Sequence, residues 1–313
     1  MKSKGVFDTI MVSLENFLVE KNINYKLKVP GEKLSTFRGG GIVEIVVYPD
    51  CNNTNELLSV INDYPYYFLG MGSNTLIDDD GYNGVVINSE NLKGILRNHN
   101  EFIVGAGVTL PYLNSYLMRL NLSGLERLAG IPASIGGACN MNAGAFGSEI
   151  CEFIKEVTCY DLTSKRELKI SAKDVPFSYR SSGGIFKDKF IKSVTLFGFT
   201  EGYDSNLEAI SRGRRLNTQP QQPSLGSVFK SQSTLPVGYL IDKCGLKGTR
   251  AGCAQISACH ANFIVNNGGA QASDYLKLLN IARDTVKRKF GITLVPEIKL
   301  LTNKEEIWEF TTQ

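Results

Sequence analysis

The sequence predicts an α+β protein, because helical and strand patterns alternate along the whole chain. The N-terminal stretch repeats apolar residues at three- and four-residue intervals, as an amphipathic helix does: Val6, Phe7, Ile10, Met11, Leu14, Phe17 and Leu18. Residues 42–48 form a β-branched run typical of a strand. A long helical pattern over residues 273–290 ends at Gly291, a residue that commonly terminates helices.

The remaining elements follow in chain order. A strand over 66–69 comes after a helix that Asn53 and Glu56 would close as a capping box. Strands over 85–87 and 102–104 precede a helix opened by Pro111, and short strands resume between 154 and 199. Alternation over 292–301 predicts a last strand with Glu297 on its polar face.

The domain organisation is predicted from a change in composition. A basic cluster, Arg212, Arg214 and Arg215, is followed by a polar stretch with several prolines that reaches Ser224. Such a stretch is typical of a domain junction. We expect three domains, 1–84, 85–203 and 204–313, of which the first two carry the glycine-rich loops.

Composition and charge narrow the class of function. The 313 residues, 42% apolar and 21% charged, can bury the cores of two or three domains. A net charge of +3 does not indicate nucleic acid or an anionic membrane as partner, and it suits an anionic small molecule. We find no signal-peptide pattern and no run of about 18 to 20 apolar residues. We therefore expect a cytoplasmic protein without membrane insertion.

The seven cysteines form no C-x-x-C pair, and with only two histidines they match no zinc spacing. We expect reduced, mostly buried thiols and no metal site. Cys259 beside His260 is the one candidate for a nucleophile and base. Adjacent residues rarely face each other, however, since such pairs assemble through space.

Four glycine-rich clusters are the strongest functional signal, at residues 38–41, 70–74, 105–107 and 130–147. Glycine allows close backbone approach and positive φ, and successive free N–H groups then form an anion-binding concavity. Each cluster alone also fits a structural turn. Residues 70–72 lack the third glycine and the acidic residue of a Rossmann fingerprint. Together, each beside a predicted strand, they indicate a cofactor with a pyrophosphate lying across several loops.

The order of these motifs resembles the UDP-N-acetylenolpyruvoylglucosamine reductase family. The resemblance covers about residues 35 to 300, nearly the whole chain. It rests on an ordered series: Ser35-Thr36-Phe37-Arg38-x-Gly40-Gly41, Gly70-x-Gly72-Ser73-Asn74, residues 130–138 and 141–147, Tyr179-Arg180-Ser181-Ser182, Gly226-Ser227-Val228-Phe229-Lys230, Ala254-Gln255-Ile256-Ser257 and residues 260–266. The short spacing between Arg180 and Ser227 resembles the subtype without an inserted tyrosine loop.

The resemblance implies a vanillyl-alcohol-oxidase-like FAD-binding fold in two parts, followed by a C-terminal α+β substrate-binding domain. It implies FAD as cofactor, NADPH as reductant, and reduction of UDP-N-acetylglucosamine enolpyruvate to UDP-N-acetylmuramate. The residues it assigns to cofactor binding are Arg38, Gly40, Gly70, Gly72, Ser73, Asn74, Gly107, Gly130, Ile131, Pro132, Ser134, Gly136, Gly137, Asn142, Ala143 and Gly144.

The same resemblance implies three catalytic residues. Arg180 would stabilise an enolate, Ser227 would donate a proton, and Glu297 would assist Arg180; Tyr179 and Lys230 would contact substrate. Without the family, an arginine of this kind is more often part of a surface ion pair, and such a glutamate is more often a solvated strand carboxylate. A serine in this setting is otherwise a turn residue. His260 receives no catalytic role.

Two departures from the family pattern concern substrate contacts. Ser231-Gln232 stands where Asn-Pro is usual, and Gly39 stands where a bulky apolar residue is usual. Two rival functions also remain. One is an FAD oxidase or dehydrogenase acting on another alcohol or sugar, and the other is a catalytically silent sensor of flavin or UDP-sugar.

Overall fold

The computed structural model describes residues 4–231 and 235–304, with side chains from residue 12 onward. It confirms the α+β class. The N-terminal part contains α1 (Lys4–Glu20), β1 (Asn24–Pro30), β2 (Ile42–Tyr48), α2 (Thr54–Val60), β3 (Tyr66–Leu69), β4 (Thr75–Ile77) and β5 (Tyr82–Asn88). Four of these strands form a sheet in the order β1-β2-β5-β3, in which β2 and β3 both run parallel to β5.

The predicted first helix is confirmed as α1. Leu14 and Leu18 are buried, and Phe17 packs against the same core. Their spacing of three and four residues places them on one face of the helix, where burial of apolar surface holds it against the domain. The side chains of Val6, Phe7, Ile10 and Met11 lie outside the described set.

The middle part is built on an antiparallel sheet in the order β12-β11-β13-β7-β6. Its elements are β6 (Ile95–Asn98), β7 (Glu101–Gly105), α3 (Leu110–Arg119), β8 (Leu122–Ser123), α4 (Ile135–Asn140), β9 (Gly144–Ala145), β10 (Ser148–Glu149), β11 (Ile154–Asp161), β12 (Arg166–Ser171), β13 (Lys189–Leu196) and β14 (Thr200–Glu201). The glycine-rich segment thus contains a short helix, α4, which packs on β13 and β7.

The C-terminal part contains α5 (Ser205–Thr218), β15 (Ser224–Ser227), α6 (Val237–Lys243), β16 (Arg250–Ala251), β17 (Ala254–Ile256), β18 (Phe263–Asn266), α7 (Ala272–Phe290) and β19 (Lys299–Leu301). A sheet in the order β15-β18-β17-β16 packs against α7. The basic cluster lies on α5, which contacts residues 126–128 of the middle part. The chain then returns to the N-terminal part, because β19 pairs in parallel with β4.

The cores cross the predicted domain limits. One cluster joins Ile45 and Ile87 of the first sheet to Phe102, Val157 and Val194 of the second. A separate cluster adds two residues of the N-terminal part to the C-terminal part: Phe37, whose ring meets Tyr275 edge-on at 5.2 Å, and Leu76. The limits 1–84, 85–203 and 204–313 stay a prediction.

Two local predictions were wrong. Asn53 precedes α2 but makes no side-chain cap, because its carboxamide oxygen accepts from the backbone N–H of Asp50 instead (2.9 Å). The last strand is restricted to β19 rather than covering 292–301. Pro296 has no N–H to donate to a ladder, and it forms only an isolated bridge with Phe229.

None of the seven cysteines is in a disulfide in the structure. The prediction of mostly buried thiols was wrong, since only Cys139 and Cys159 are buried and Cys51, Cys253 and Cys259 are exposed. Burial raises the pKa of the Cys139 thiol, which makes it unreactive. Among the described residues, no cluster of three or more His, Cys, Asp or Glu could hold a metal. In the same part of the chain, none of the helices has the length and apolar composition of a membrane span.

Candidate active site

A cavity of about 530 Å³ lies where all three parts of the chain meet. Its walls come from the loop after β3, the glycine-rich segment around α4, and β15 with the segment that leads into β19. A second cavity of about 410 Å³ lies between β15 and α6. Tyr179 and Ser227 line both cavities, so they mark the point where the two adjoin.

The larger cavity gathers most of the predicted site residues. Its lining includes all three predicted catalytic residues, Arg180, Ser227 and Glu297. The other predicted residues in its wall are Gly70, Gly72, Ser73, Asn74, Ile131, Pro132, Ser134, Gly137, Ala143, Gly144 and Tyr179. The sequence motifs, which are far apart in the chain, therefore meet around one space.

Seven predicted binding residues are not among those lining this cavity: Arg38, Gly40, Gly107, Gly130, Gly136, Asn142 and Lys230. The Arg38 side chain is exposed. Gly136 packs inside the fold, where a β-carbon would lie 2.9 Å from Cβ of Ala106. Lys230 lies close enough for its charge to act on Glu297 and Lys299. The assignments of these seven residues stay predictions.

Glycine is required where the loop of residues 70–74 approaches its neighbours. A β-carbon on Gly72 would lie 1.9 Å from the carbonyl oxygen of Leu34, and Gly72 has a φ of +66°. A β-carbon on Gly70 would lie 2.3 Å from the hydroxyl oxygen of Ser134. Only glycine fits such contacts, because real β-carbons do not approach other atoms so closely. The loop of residues 70–74 is thereby held at the cavity wall.

Ser227 is the last residue of β15, where it pairs with Phe263. Gly226 before it has a φ of +76°, which residues with a side chain rarely adopt. Glycine therefore permits the turn of the chain at this point. The Asn262 side chain then bonds both the N–H and the carbonyl of Phe229, at 3.1 and 2.9 Å. The backbone on both sides of Ser227 is thus constrained.

Glu297 is brought to Ser227 by backbone hydrogen bonds. Its N–H donates to the carbonyl of Val228 (2.8 Å), so the segment before β19 runs beside the end of β15. The Asn74 side-chain amide donates to the Glu297 carbonyl (3.0 Å), and the Lys299 N–H donates to the Asn74 carbonyl (2.8 Å). The loop of residues 70–74, called the glycine loop below, therefore belongs with Ser227 and Glu297 to one hydrogen-bonded assembly.

Arg180 completes the group. Its Nε lies 3.4 Å from Oε1 of Glu297, and its Nη2 donates to the Gly144 carbonyl (2.6 Å). The guanidinium also lies over the Tyr179 ring, 4.9 Å from the centroid. Side-chain exposures of 20% for Arg180 and 15% for Glu297 leave this ion pair largely shielded from water. Glu297 is not the solvated strand carboxylate that the alternation alone would suggest.

Burial dominates the electrostatics of Glu297. It raises the pKa of the carboxyl above its ordinary value, while the nearby charges of Arg180 and Lys230 oppose the shift. Burial also lowers the pKa of the Lys299 ammonium, and repulsion from Lys230 adds to this. The cavity wall therefore carries several cations around one carboxyl whose raised pKa disfavours its ionised form.

Glu297→Gln should stabilise the protein at neutral pH. A raised folded-state pKa means that the folded protein binds this proton more tightly than the unfolded chain. The free energy of unfolding then falls as pH rises from the ordinary value of 4.5 through the raised pKa. Glutamine has no charge to desolvate, so the advantage of the variant should widen as the pH rises above the ordinary carboxyl pKa of 4.5.

Urea unfolding at several pH values measures this difference, with Glu201→Gln, which removes an exposed carboxylate, as the matched control. A variant less stable than the parent at neutral pH would show that the ion pair with Arg180 outweighs the cost of burial.

Sequence reasoning missed several residues of the cavity wall. Lys299 lies two residues after Glu297, and this period-two spacing was the signal that could have placed it in the same wall. Arg215 was interpreted as part of a domain junction, although it lines the cavity from α5. The apolar part of the wall was given no role: Ala133, Met141 and Phe263 lie within the quoted motifs, whereas Tyr67, Phe68 and Leu69 lie in none.

The residues present fit FAD. None of the described protein atoms accepts from the backbone N–H groups of Met71, Gly72 or Ser73, which lie between strands at the cavity wall. Free amides of this kind suit a diphosphate. The apolar wall offers a surface for a flat ring system, and Arg215 supplies a cation. Backbone donors, an apolar face and a positive charge together match a dinucleotide with an aromatic ring.

Comparisons with known proteins identify the family of the chain. A family model described as an FAD binding domain matches residues 45–165, and the model of the UDP-N-acetylenolpyruvoylglucosamine reductase C-terminal domain matches residues 219–301. The chain is 33% identical over 302 residues to UDP-N-acetylenolpyruvoylglucosamine reductase of Clostridium novyi, covering 94% of this chain and 96% of the relative. It is 38% identical over 282 residues to the enzyme so named in Thermotoga sp., covering 87% and 93%.

A solved structure gives the same result. The crystal structure of UDP-N-acetylenolpyruvylglucosamine reductase from Thermus caldophilus matches with a TM-score of 0.74 and 32% identity, covering 90% of this chain and 99% of that one. The fold and site define an oxidoreductase with an FAD-binding domain. The chain belongs to the UDP-N-acetylenolpyruvoylglucosamine reductase family.

Proposed function

We propose that this chain reduces UDP-N-acetylglucosamine enolpyruvate to UDP-N-acetylmuramate, a precursor of peptidoglycan, and that Arg180, Ser227 and Glu297 carry the reaction. One observation supports this most strongly. The Glu297 backbone bonds to Val228 next to Ser227, its carboxyl pairs with Arg180 at 3.4 Å, and its carbonyl bonds to Asn74 of the glycine loop. A cation, a proton donor and a carboxyl thus adjoin the cofactor loops.

The chemistry of the substrate requires these three groups. When bound, FAD would supply a hydride equivalent, originating from NADPH, to the terminal carbon of the enolpyruvyl group. Negative charge then develops on the neighbouring carbon and its carboxylate, and a fixed cation lowers the energy of that state. The planar guanidinium of Arg180 can bond both oxygens of a carboxylate.

Ser227 is proposed as the proton donor that completes the lactyl group. An alcohol is a weak acid, so it serves only where the acceptor is strongly basic and the hydroxyl is held in line. The carbon next to the site of hydride addition is such an acceptor. The constrained backbone of β15 supplies the alignment, since Gly226 permits the turn before Ser227 and Asn262 fixes the residues after it.

Glu297 is proposed to hold Arg180 and to bond the enol form of the carboxylate. The raised pKa of its carboxyl suits a group that shares a proton with the substrate rather than one that stays ionised. The Glu297 carbonyl also accepts a hydrogen bond from Asn74. A shift of the glycine loop would therefore move Glu297 relative to the reacting carbon.

The second cavity is proposed to take the nucleotide part of the substrate. It is lined by polar and aromatic side chains that suit a sugar nucleotide: Tyr239, Asp242, Lys247, His260 and Asn262. Tyr179 stands at its junction with the larger cavity, which fits its predicted substrate contact. A cytoplasmic location also belongs to this proposal, because NADPH is a reductant of the cell interior.

A product assay tests the proposal against both rivals. With NADPH and the enolpyruvyl nucleotide, the protein should form a product two hydrogen atoms heavier than the substrate, with an equal amount of NADP⁺. An oxidase would instead consume oxygen and form peroxide with another alcohol. A silent sensor would leave the substrate and NADPH unchanged, which would contradict the proposal.

Arg215→Gln should weaken FAD binding by about tenfold, equivalent to ~1.4 kcal/mol. Arg215 lines the cavity, and within the described residues no carboxylate pairs with it. Two neighbours on α5 differ: Arg212 bonds Glu208 at 2.6 Å, and Arg214 is exposed over the Phe146 ring. Arg214→Gln is therefore the matched control. Fluorescence titration of the apoprotein with FAD measures both variants, and equal affinities for Arg215→Gln and the parent would contradict the assignment.

A further inference from the structure

A second carboxylate, Glu149, lies on the far side of the Arg180 guanidinium. Its Oε1 is 3.9 Å from Nη1 of Arg180, whereas Glu297 approaches Nε at 3.4 Å. Glu297 lines the larger cavity and Glu149 is not among its lining residues. The arginine is thus held between one carboxylate that faces the cavity and one that lies behind it.

Glu149 is itself oriented by Asn142. The Asn142 side-chain amide donates to Oε2 of Glu149 (2.7 Å) and to the carbonyl of Ser178 (2.9 Å), and its oxygen accepts from the Cys151 N–H (3.3 Å). Asn142 is completely buried. Both its donor and its acceptor are therefore used by the protein, and its bonds connect Glu149 with the loop that carries Arg180.

The backbone of that loop needs such support. Arg180 has a φ of +55°, in the left-handed region that non-glycine residues rarely occupy. Asn142 also has a positive φ, of +44°. Conformations of this kind persist only where the surroundings determine them, and they concentrate at functional sites. Here Ser178 and Ser181 exchange two backbone hydrogen bonds of 3.0 Å around Arg180, and the Asn142 amide bonds Ser178 from outside.

We propose that Glu149, oriented by Asn142, is a positioning residue that fixes the Arg180 guanidinium toward the reacting carbon. This inference rests on the proposed function. Arginine has a long, flexible side chain, and stabilisation of a developing enolate depends on a cation that is already in place. Glu297 alone cannot supply this, because it must also bond the substrate. Glu149 is not among the residues that line the cavity, so its effect on the substrate is assigned to its contact with Arg180.

Glu149→Gln should slow the reoxidation of the reduced protein by the enolpyruvyl nucleotide by about 10- to 100-fold. Its reduction by NADPH should proceed at the parent rate, because that half-reaction does not use Arg180. Anaerobic stopped-flow absorbance at the flavin band separates the two steps. Glu149→Asp retains the charge with a shorter reach, so its rate should lie between those of the parent and Glu149→Gln.

A double-mutant cycle separates positioning from general destabilisation. In an Arg180→Gln background, the change Glu149→Gln should cost nothing further, because its only route to the substrate has been removed. Glu152→Ala is the matched control. Glu152 accepts from the Glu149 N–H (2.6 Å) and the Ser148 hydroxyl (3.1 Å), so it holds the same segment without reaching Arg180. Its reoxidation rate should stay within about twofold of the parent.

Two outcomes would overturn the positioning role. One is parent-like reoxidation of Glu149→Gln, and the other is an equal loss of rate with and without Arg180. A parent protein that the enolpyruvyl nucleotide fails to reoxidise would instead contradict the proposed function itself. The parent, run alongside the variants, therefore distinguishes the two failures.

Discussion

Replacing Ser227 by alanine should lower turnover of the enolpyruvyl substrate by about 10²- to 10⁴-fold, the range that a positioned general acid usually supplies. Reduction by NADPH should be unaffected, since no proton of Ser227 is needed for that step. The loss should appear in kcat, because the hydroxyl contributes chiefly in the transition state. Steady-state kinetics, combined with stopped-flow measurement of each half-reaction, check this expectation.

Ser227→Cys provides the complementary test. A thiol can also donate a proton, so this variant should recover part of the activity that alanine lacks. The surrounding backbone should tolerate both changes, since Gly226 and Asn262 set its conformation independently of the Ser227 hydroxyl. An alanine variant with parent-like reoxidation would assign proton donation to another group or to water.

Arg180→Gln should slow reoxidation by the substrate by about 10²- to 10³-fold, the usual cost of removing one fixed donor to a developing oxyanion. Arg180→Lys should retain part of the rate, because an ammonium keeps the charge but loses the forked geometry. Stopped-flow reoxidation of the two variants against the parent measures the difference.

Removing Arg180 also leaves two carboxylates without their cation. Glu297 is buried and Glu149 lies 3.9 Å from the guanidinium, so Arg180→Gln should lower the melting temperature as well. Loss of stability with unchanged reoxidation would show that Arg180 is structural only.

The sequence contained enough to predict that Arg180, Ser227 and Glu297 lie at one cavity, for a physical reason. Each of these residues lies near a motif residue that sets its backbone position. Gly226 permits the turn before Ser227, and Asn74 of the glycine loop bonds the Glu297 carbonyl. The motif order therefore predicted a family, and the comparisons confirm it. What each residue does at the cavity follows from the same motifs and remains a proposal.

Contacts between residues far apart in the sequence explain why some residues of the cavity wall were not predicted. Lys299 reaches the cavity because β19 pairs with β4, more than two hundred residues earlier in the chain, and its two-residue spacing from Glu297 was the local sign of its position. Arg215 lies on a helix whose partner is a segment near residue 127. The capping-box error at Asn53 has a local cause, since an asparagine can also bond the backbone before it, as it does at Asp50.

The proposed mechanism requires one cavity to bring the flavin together with Arg180, Ser227 and Glu297. Its most direct test is a flavin absorbance trace under anaerobic conditions. NADPH should bleach the band of the oxidised flavin, and subsequent addition of UDP-N-acetylglucosamine enolpyruvate should restore it within the turnover time. A bleached protein that recovers only when air is admitted would contradict the account.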